Sequence, residues 1–274
     1  MSLQEQSVVV MPVAERPEFC ALALECLAKA HYSVPILVFV DSVSQKLKDE
    51  FSYVFAHHAP PQTTIHWQEP HVPCTSGCYN ILDSIKRGRE TGAEYVMLVE
   101  EDVLVRPNIF EYHWGVFAAN PTLVVSCGRK YMPFWDRCPG MYTNPGSCLT
   151  GKLVDAIIPH INPDFFANTG GYMEEVIGHV EGIHGLDDGL IRRVMWKNGW
   201  AAKHQEEPGC SHVGFMAYEN RYDFCRVDHS AHISDRIANL RNLFLTLDPI
   251  NGPHARYIKD LEPLSAEQLT NLRI

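Results

Sequence analysis

Tyr95-Val96-Met97-Leu98-Val99-Glu100-Glu101-Asp102 carries an apolar stretch of strand length straight into three consecutive acids. Outward from it, toward the N-terminus, Cys78, Ile81, Leu82 and Ile85 keep the spacing of one helical face that ends near Gly92. Residues 63–67 read as a short strand, 42–52 as a helix, and 35–40 as a strand. Residues 17–31 keep helical spacing through Phe19, Ala23, Cys26, Leu27 and Ala30, and 7–12 form a β-branched strand. On the C-terminal side, Pro107 stands where a helix begins, Phe110, Trp114 and Phe117 share its stripe, and 123–126 read as a fifth strand. Five such alternations predict an α/β fold with a mostly parallel sheet flanked by helices. Sheets of this kind take their ligands at the carboxyl ends of the strands. The informative residues are then those just past each strand: 13–16, 41–44 and 100–102.

Beyond residue 127 the pattern is less regular. Residues 131–146 are rich in Pro, Gly and aromatic residues and read as loop; 150–158 suit a helix. Residues 160–185 hold five glycines and read as mixed loop. Residues 187–198 form a helix that Asp187 can cap and Gly199 stops. Residues 200–204 suit a strand and 233–247 an amphipathic helix. Ser265-Ala266-Glu267-Gln268 resembles a capping box for a short last helix.

The chain has 274 residues, 23 Lys+Arg against 33 Asp+Glu and a net charge of −10, with no basic run, so it carries no electrostatic footprint for nucleic acid. No apolar run approaches the roughly 20 residues of a membrane-spanning helix. Met1-Ser2-Leu3-Gln4-Glu5-Gln6 lacks the basic and apolar regions of a signal peptide, so a cytoplasmic location is expected and the nine cysteines read as reduced thiols, mostly buried. There is no P-loop, no GxGxxG after a strand, no GxSxG elbow and no HExxH, which excludes P-loop kinases, most Rossmann dehydrogenases, α/β-hydrolases and zincins.

Adjacent acids repel, so Glu100-Glu101-Asp102 is costly without a partner. A hard divalent cation, Mg²⁺ or Mn²⁺, suits such oxygens and keeps positions open for diphosphate; a solvated turn also accommodates them. In Gly185-Leu186-Asp187-Asp188-Gly189 one acid serves as helix cap. The other can point into a cleft and accept a proton from a hydroxyl nucleophile. Asp41 can accept a hydrogen bond from an imide or a ribose hydroxyl, or close a turn. Arg16 can meet a base or phosphate, or lie on the surface. His212, in Cys210-Ser211-His212, suits a second metal ligand or a structural histidine. His71 through Cys78 has weak zinc spacing with no second cluster to support it, and His179 and His184 read as loop histidines. Phe134, Trp135 and Tyr142 are candidates for stacking on a sugar.

Taken in order, these motifs resemble a GT-A nucleotide-sugar glycosyltransferase, and within that class the N-acetylglucosaminyltransferase I family. The opening Val8-Val9-Val10-Met11-Pro12-Val13-Ala14-Glu15-Arg16-Pro17 is similar to that family's first strand with its Arg, which implies nucleotide contacts from Pro12 and Arg16. Pro35-Ile36-Leu37-Val38-Phe39-Val40-Asp41 is similar to its second strand, whose terminal Asp contacts uracil. Glu100-Glu101-Asp102 matches a Glu-Asp-Asp whose last member binds the metal; that implies Asp102 as metal ligand, with Glu100 and Glu101 on the donor. Leu123-Val124-Val125-Ser126 resembles the strand that follows, and Pro145-Gly146-Ser147 a Pro-Gly turn before a helix. Asp187-Asp188 resembles a pair whose second member is the catalytic base, Asp188. Cys210-Ser211-His212 falls at a loop near the donor.

The resemblance implies a catalytic domain over 1–215, with a donor-binding half (1–127) and an acceptor half (128–215), and leaves 216–274 as a helical extension packed on it. It implies Mn²⁺ or Mg²⁺, a nucleoside-diphosphate sugar as donor (a UDP-sugar favoured), and a glycan or other hydroxyl acceptor. Transfer would be inverting, with loops 131–147 and 160–185 binding the acceptor or closing over the donor. A sugar nucleotidyltransferase would need a Gly-rich loop after the first strand, and Met11-Pro12-Val13-Ala14-Glu15-Arg16 has no glycine. A non-catalytic nucleotide- or carbohydrate-binding module and a metal-dependent hydrolase are the remaining alternatives; Glu101 in place of Asp favours the former.

Overall fold

The computed structural model describes residues 2–30, 33–69, 78–130, 140–180, 183, 187–206, 209–213 and 230–251. A seven-stranded sheet runs in the order β3-β2-β1-β4-β7-β6-β8. Its strands are β1 (Ser7–Val13), β2 (Ile36–Val40), β3 (Thr63–Trp67), β4 (Tyr95–Leu98), β6 (Val125–Lys130), β7 (Ser147–Thr150) and β8 (Ala202–Gln205). β3, β2, β1 and β4 are parallel, as are β6 and β8, whereas β7 is antiparallel to both of its neighbours.

The helices α1 (Pro17–Lys29), α2 (Gln45–His58), α3 (Cys78–Glu90), α4 (Ile109–Ala119), α5 (Gly151–Ile157), α6 (Pro163–Ala167), α7 (Thr169–Tyr172), α8 (Asp187–Lys197) and α9 (Ile233–Asn251) fill the connections and the C-terminal part. Two apolar layers result. In β1, Val9, Met11 and Val13 face one layer with α1, α2 and the start of α9, while Val8 and Val10 face the other with α3, α5 and α8. That period-two split explains an unbroken apolar run: both faces of the strand are covered. Pro12 is tolerated in this central strand for a related reason. Val9 donates to Pro35 O on the β2 side, so the alternate position 12 turns its missing N–H toward β4, whose pairing with β1 stops at Val10↔Leu98.

Three short strands were not legible, one of them over Cys210-Ser211-His212, which the sequence places in a loop. A tight turn, Val103 N–H to Glu100 O at 3.0 Å, folds the chain directly from β4 into β5 (Val103–Val105). β5 pairs antiparallel with β9 (Cys210–His212), with Val103 opposite His212. β7 lies between the Pro145-Gly146 turn and α5, so that turn leads into a strand and not straight into a helix. The fifth strand begins at Val125, not Leu123, because Leu123 donates to Asn120 O and closes the turn after α4.

The Pro145-Gly146 turn is locked under β9. Gly146 has φ +60°, and a Cβ there would lie 2.7 Å from Cys210 Sγ. The buried His113 of α4 holds the same turn, with Nε2 donating to Gly146 O (3.1 Å) and Nδ1 accepting from Ser126 (2.7 Å). Burial pushes the His113 pKa down to about 3, so the ring is neutral, as this pattern requires.

α9 packs Ile233, Ile237 and Leu240 on the α1 side, and its buried Arg236 meets Glu18 of α1 (3.4 Å) and Glu50 of α2 (2.6 Å). Cys20, Cys26, Cys78, Cys127, Cys148 and Cys210 are buried thiols outside any disulfide among the described residues. Among the described residues no helix is long and apolar enough to cross a membrane. The capping box at 265–268, Phe134, Trp135, His184 and the zinc-spaced His71 and Cys74 lie outside the described residues.

Candidate functional site

The β4–β5 turn sends its three acids in different directions. Glu101 points back beneath the β1–α1 loop. Its carboxylate accepts from Ala14 N–H (2.9 Å), Arg16 N–H (3.4 Å) and the Arg16 Nε–H (3.1 Å). Asp102 is 1% exposed, and its Oδ2 accepts from Arg16 Nη1 at 2.5 Å and pairs with His212 Nε2 at 3.1 Å. Glu100 Oε2 lies 3.7 Å from the same His212 nitrogen.

The two-stranded β5–β9 sheet is what brings His212 here. The Val103↔His212 register, extended by Val213 N–H to Asp102 O at 2.9 Å, sets the imidazole beside a carboxylate 110 residues away in sequence.

The electrostatics follow from burial and contact. Burial pushes the Glu101 carboxyl up, and Arg16 and the Ala14 N–H offset that only in part. Burial acts the same way on Asp102. There the hydrogen bond and charge of His212, with the charge of Arg16, outweigh it and hold the carboxyl below its ordinary range. Burial alone would lower the His212 pKa, but the bond to Asp102 and the charges of Asp102 and Glu100 raise it. Of these acids it is Asp102 whose ionised form His212 and Arg16 favour.

Glu100, Asp102 and His212 offer one ligand atom each within 4.8 Å of one another. A cation bound at about 2.1 Å sets adjacent ligands about 3 Å apart and opposite ones about 4.2 Å apart. The observed separations of 3.1 and 3.7 Å fall in that interval. Two carboxylates and an imidazole form a mixed donor set suited to Mn²⁺, and the residues present fit such an ion.

The other sequence candidates stand as follows. Asp41 follows β2, its N–H donating to Val13 O (2.8 Å) and its carboxylate accepting from Ser42 N–H (2.7 Å), so it lies beside the end of β1 and shapes a turn. Pro12 is buried within β1. Asp187 is the first residue of α8, and its side chain lies outside the described part. Asp188 is 30% exposed and pairs with Arg192 at 3.3 Å. Tyr142 is fully buried in the layer with α3, α5 and α8, so it packs the core and is not a platform for a sugar. His179 pairs with Glu174 at the surface (2.8 Å).

Sequence reasoning missed two arginines of α8. Arg192 Nε donates to Tyr142 O (2.8 Å), tying the loop before β7 to the helix that carries Asp188. The buried Arg193 donates to Met173 O, Gly178 O and Ile183 O and pairs with Glu174, clamping the segment that leads into α8. Two adjacent arginines on an otherwise amphipathic helix were the available signal.

No protein-family model matches the chain, and no curated protein matches it in sequence. Solved structures do. The mannosyltransferase PcManGT of Pyrobaculum calidifontis, determined with GDP-Man and Mn²⁺, superposes with a TM-score of 0.52 at 14% identity, over 97% of this chain and 73% of that one. An active-site mutant of LgtC superposes with a TM-score of 0.52 at 14% identity, over 86% of this chain and 95% of that one. At such identities the likeness is one of architecture: the chain has the fold of GT-A-type glycosyltransferases.

Proposed function

We propose that the protein is a metal-dependent glycosyltransferase that moves a sugar from a nucleoside-diphosphate sugar to a hydroxyl acceptor with inversion. The observation that carries this reading is the Glu100–Asp102–His212 cluster at the carboxyl end of β4, at the ligand-binding edge of a GT-A sheet. Asp102, Glu100 and His212 would hold the cation. When bound, that cation neutralises charge on the departing diphosphate. Arg16, which meets both Glu101 and Asp102, stands next to these residues. Pro12 and Asp41, at the ends of β1 and β2, border the nucleoside, and the imide of uracil suits the Asp41 carboxylate, which favours a UDP-sugar.

Asp188 accepts the proton of the acceptor hydroxyl as that oxygen attacks the anomeric carbon. The carbon–oxygen bond to the diphosphate breaks on the opposite face, so no covalent enzyme intermediate forms. Arg192 pairs with Asp188 at 3.3 Å and orients it. Hexosyl or N-acetylhexosaminyl transfer are the two classes of this reaction the site suits.

The test is a panel of UDP- and GDP-sugars incubated with the protein, Mn²⁺ and a set of glycan and simple hydroxyl acceptors. Release of nucleoside diphosphate that requires both Mn²⁺ and acceptor supports the reading. Formation of a nucleotide sugar with release of pyrophosphate, in a parallel incubation with nucleoside triphosphate and sugar 1-phosphate, would make the protein a nucleotidyltransferase, and donor binding without turnover of any acceptor would make it a binding module.

A further inference from the structure

Asp102 Oδ2 has two partners at once: Arg16 Nη1 at 2.5 Å and His212 Nε2 at 3.1 Å. This is the same residue whose carboxylate joins Glu100 and His212 in the cation cluster. The guanidinium therefore sits on the central ligand of the cation site. A guanidinium and an imidazole bonded to one oxygen of a buried carboxylate leave little room on it for a third partner.

Arg16 is also held from behind. Glu101 grips its Nε at 3.1 Å and its backbone N–H at 3.4 Å, and grips the neighbouring Ala14 N–H at 2.9 Å. These contacts fix the near end of the guanidinium and leave Nη1 as the part that can change partner. The side chain is 20% exposed, against 2% for Asp102, so it lies on the solvent side of the carboxylate.

We infer that Arg16 is the resident counter-ion of the cation site, competing with the divalent cation for Asp102 and passing to the anionic diphosphate when cation and nucleotide arrive together. The inference rests on the cation reading given under Proposed function. It makes the cation a weak ligand by itself, because it must displace a guanidinium. With nucleoside diphosphate present, the displaced Nη1 gains phosphate oxygens in place of Asp102, so each ligand strengthens the other. Glu101 then acts as the pivot: a positioning residue that keeps Arg16 at the site in both arrangements.

The experiment is a titration of the full chain with Mn²⁺ alone, followed by the electron paramagnetic resonance of free Mn²⁺, for wild type, Arg16→Gln, Arg16→Lys and Asp102→Asn. Near-ultraviolet circular dichroism checks that each variant is folded. Arg16→Gln is expected to bind Mn²⁺ at least tenfold more tightly than wild type. Arg16→Lys, which keeps the charge but cannot bridge Glu101 and Asp102 as a fork, is expected to lie between them, and supplies the comparison if the Gln variant does not fold. Adding UDP is expected to tighten Mn²⁺ binding by a larger factor in wild type than in Arg16→Gln.

Equal or weaker Mn²⁺ binding by both Arg16 variants would overturn the competition, and an unchanged UDP factor would overturn the hand-over. Either result leaves the cation site itself standing if wild type binds Mn²⁺ and Asp102→Asn does not. Absence of Mn²⁺ binding in wild type and both Arg16 variants at millimolar concentration would overturn the cation reading and this inference together.

Discussion

Two runs of adjacent acids end up in opposite circumstances. Glu100-Glu101-Asp102 lies in a turn between two strands, and its partners come from 86 and 110 residues away in sequence. Asp188, beside Asp187 at the start of α8, finds its partner Arg192 one helical turn along. In the first run the tertiary fold decides what each carboxylate does. Glu101 is spent on the β1–α1 loop, while Asp102 and Glu100 face His212. In the second a local pair suffices, and Asp188 keeps 30% of its side chain exposed. An acid held by distant groups is built into the architecture, whereas one held by its own helix is free to serve chemistry without carrying the fold.

That contrast breaks if Asp188 turns out to be structural. Asp188→Asn is expected to lower kcat by about 10²–10⁴-fold, the range of a lost general base. Thermal stability and Mn²⁺-dependent binding of nucleoside diphosphate should stay near wild type. Steady-state kinetics beside a melting curve checks this, and a variant that melts early with kcat intact would reverse the assignment.

Glu101→Gln probes the other side. It replaces a buried carboxylate that accepts from three backbone N–H groups and one guanidinium. Hydrogen bonds to a charged group are each worth about 1.5–3 kcal/mol, and with Gln keeping part of the geometry the expected loss is about 2–3 kcal/mol in urea unfolding. No loss would mean that Glu101 is not an anchor of the loop.

The smallest effect concerns pH. His113, under the turn that supports β9, has its pKa lowered by burial to about 3 in the folded protein, against about 6.5 in an unfolded chain. The unfolded state therefore takes up the proton first as pH falls. The stability this ring confers is complete above about pH 6.5 and drains as pH drops toward 3, by about 1.4 kcal/mol per pH unit. Urea titrations at pH 7 and pH 5 should show that slope in wild type, and His113→Asn should flatten it. Equal slopes would mean that the ring is not held neutral.

Much of the architecture could be read from residue order. Val8-Val9-Val10, Ile36-Leu37-Val38 and Val96-Met97-Leu98 are runs that only a sheet covered on both faces can bury, and the helices between them kept their spacing. β5, β7 and β9 could not be read. Three or four residues carry no periodicity, and Ser147-Cys148-Leu149-Thr150 looks as much like a helix start as a strand.

At the site, the acids after β4 announced themselves by their mutual repulsion. That Glu101 would turn inward while Asp102 met His212 depends on a strand pairing between residues 103–105 and 210–212, which no local pattern encodes. Tyr142 misled for the complementary reason: an aromatic in a Pro- and Gly-rich loop looks available, and only the packed layer shows it buried.

The most direct measurement is the thermal unfolding of wild type and Asp102→Asn with Mn²⁺, with UDP or GDP, and with both together. Ligand at about 100 times its Kd adds about 2.7 kcal/mol to stability, which in a chain of this size raises Tm by roughly 5–10 °C. The expected result is a rise of that order in wild type with cation and one nucleoside diphosphate together, absent in Asp102→Asn. An equal rise in Asp102→Asn would move the cation away from the β4–β5 turn, and no rise with any nucleoside diphosphate in wild type would contradict a nucleotide-sugar site on this fold.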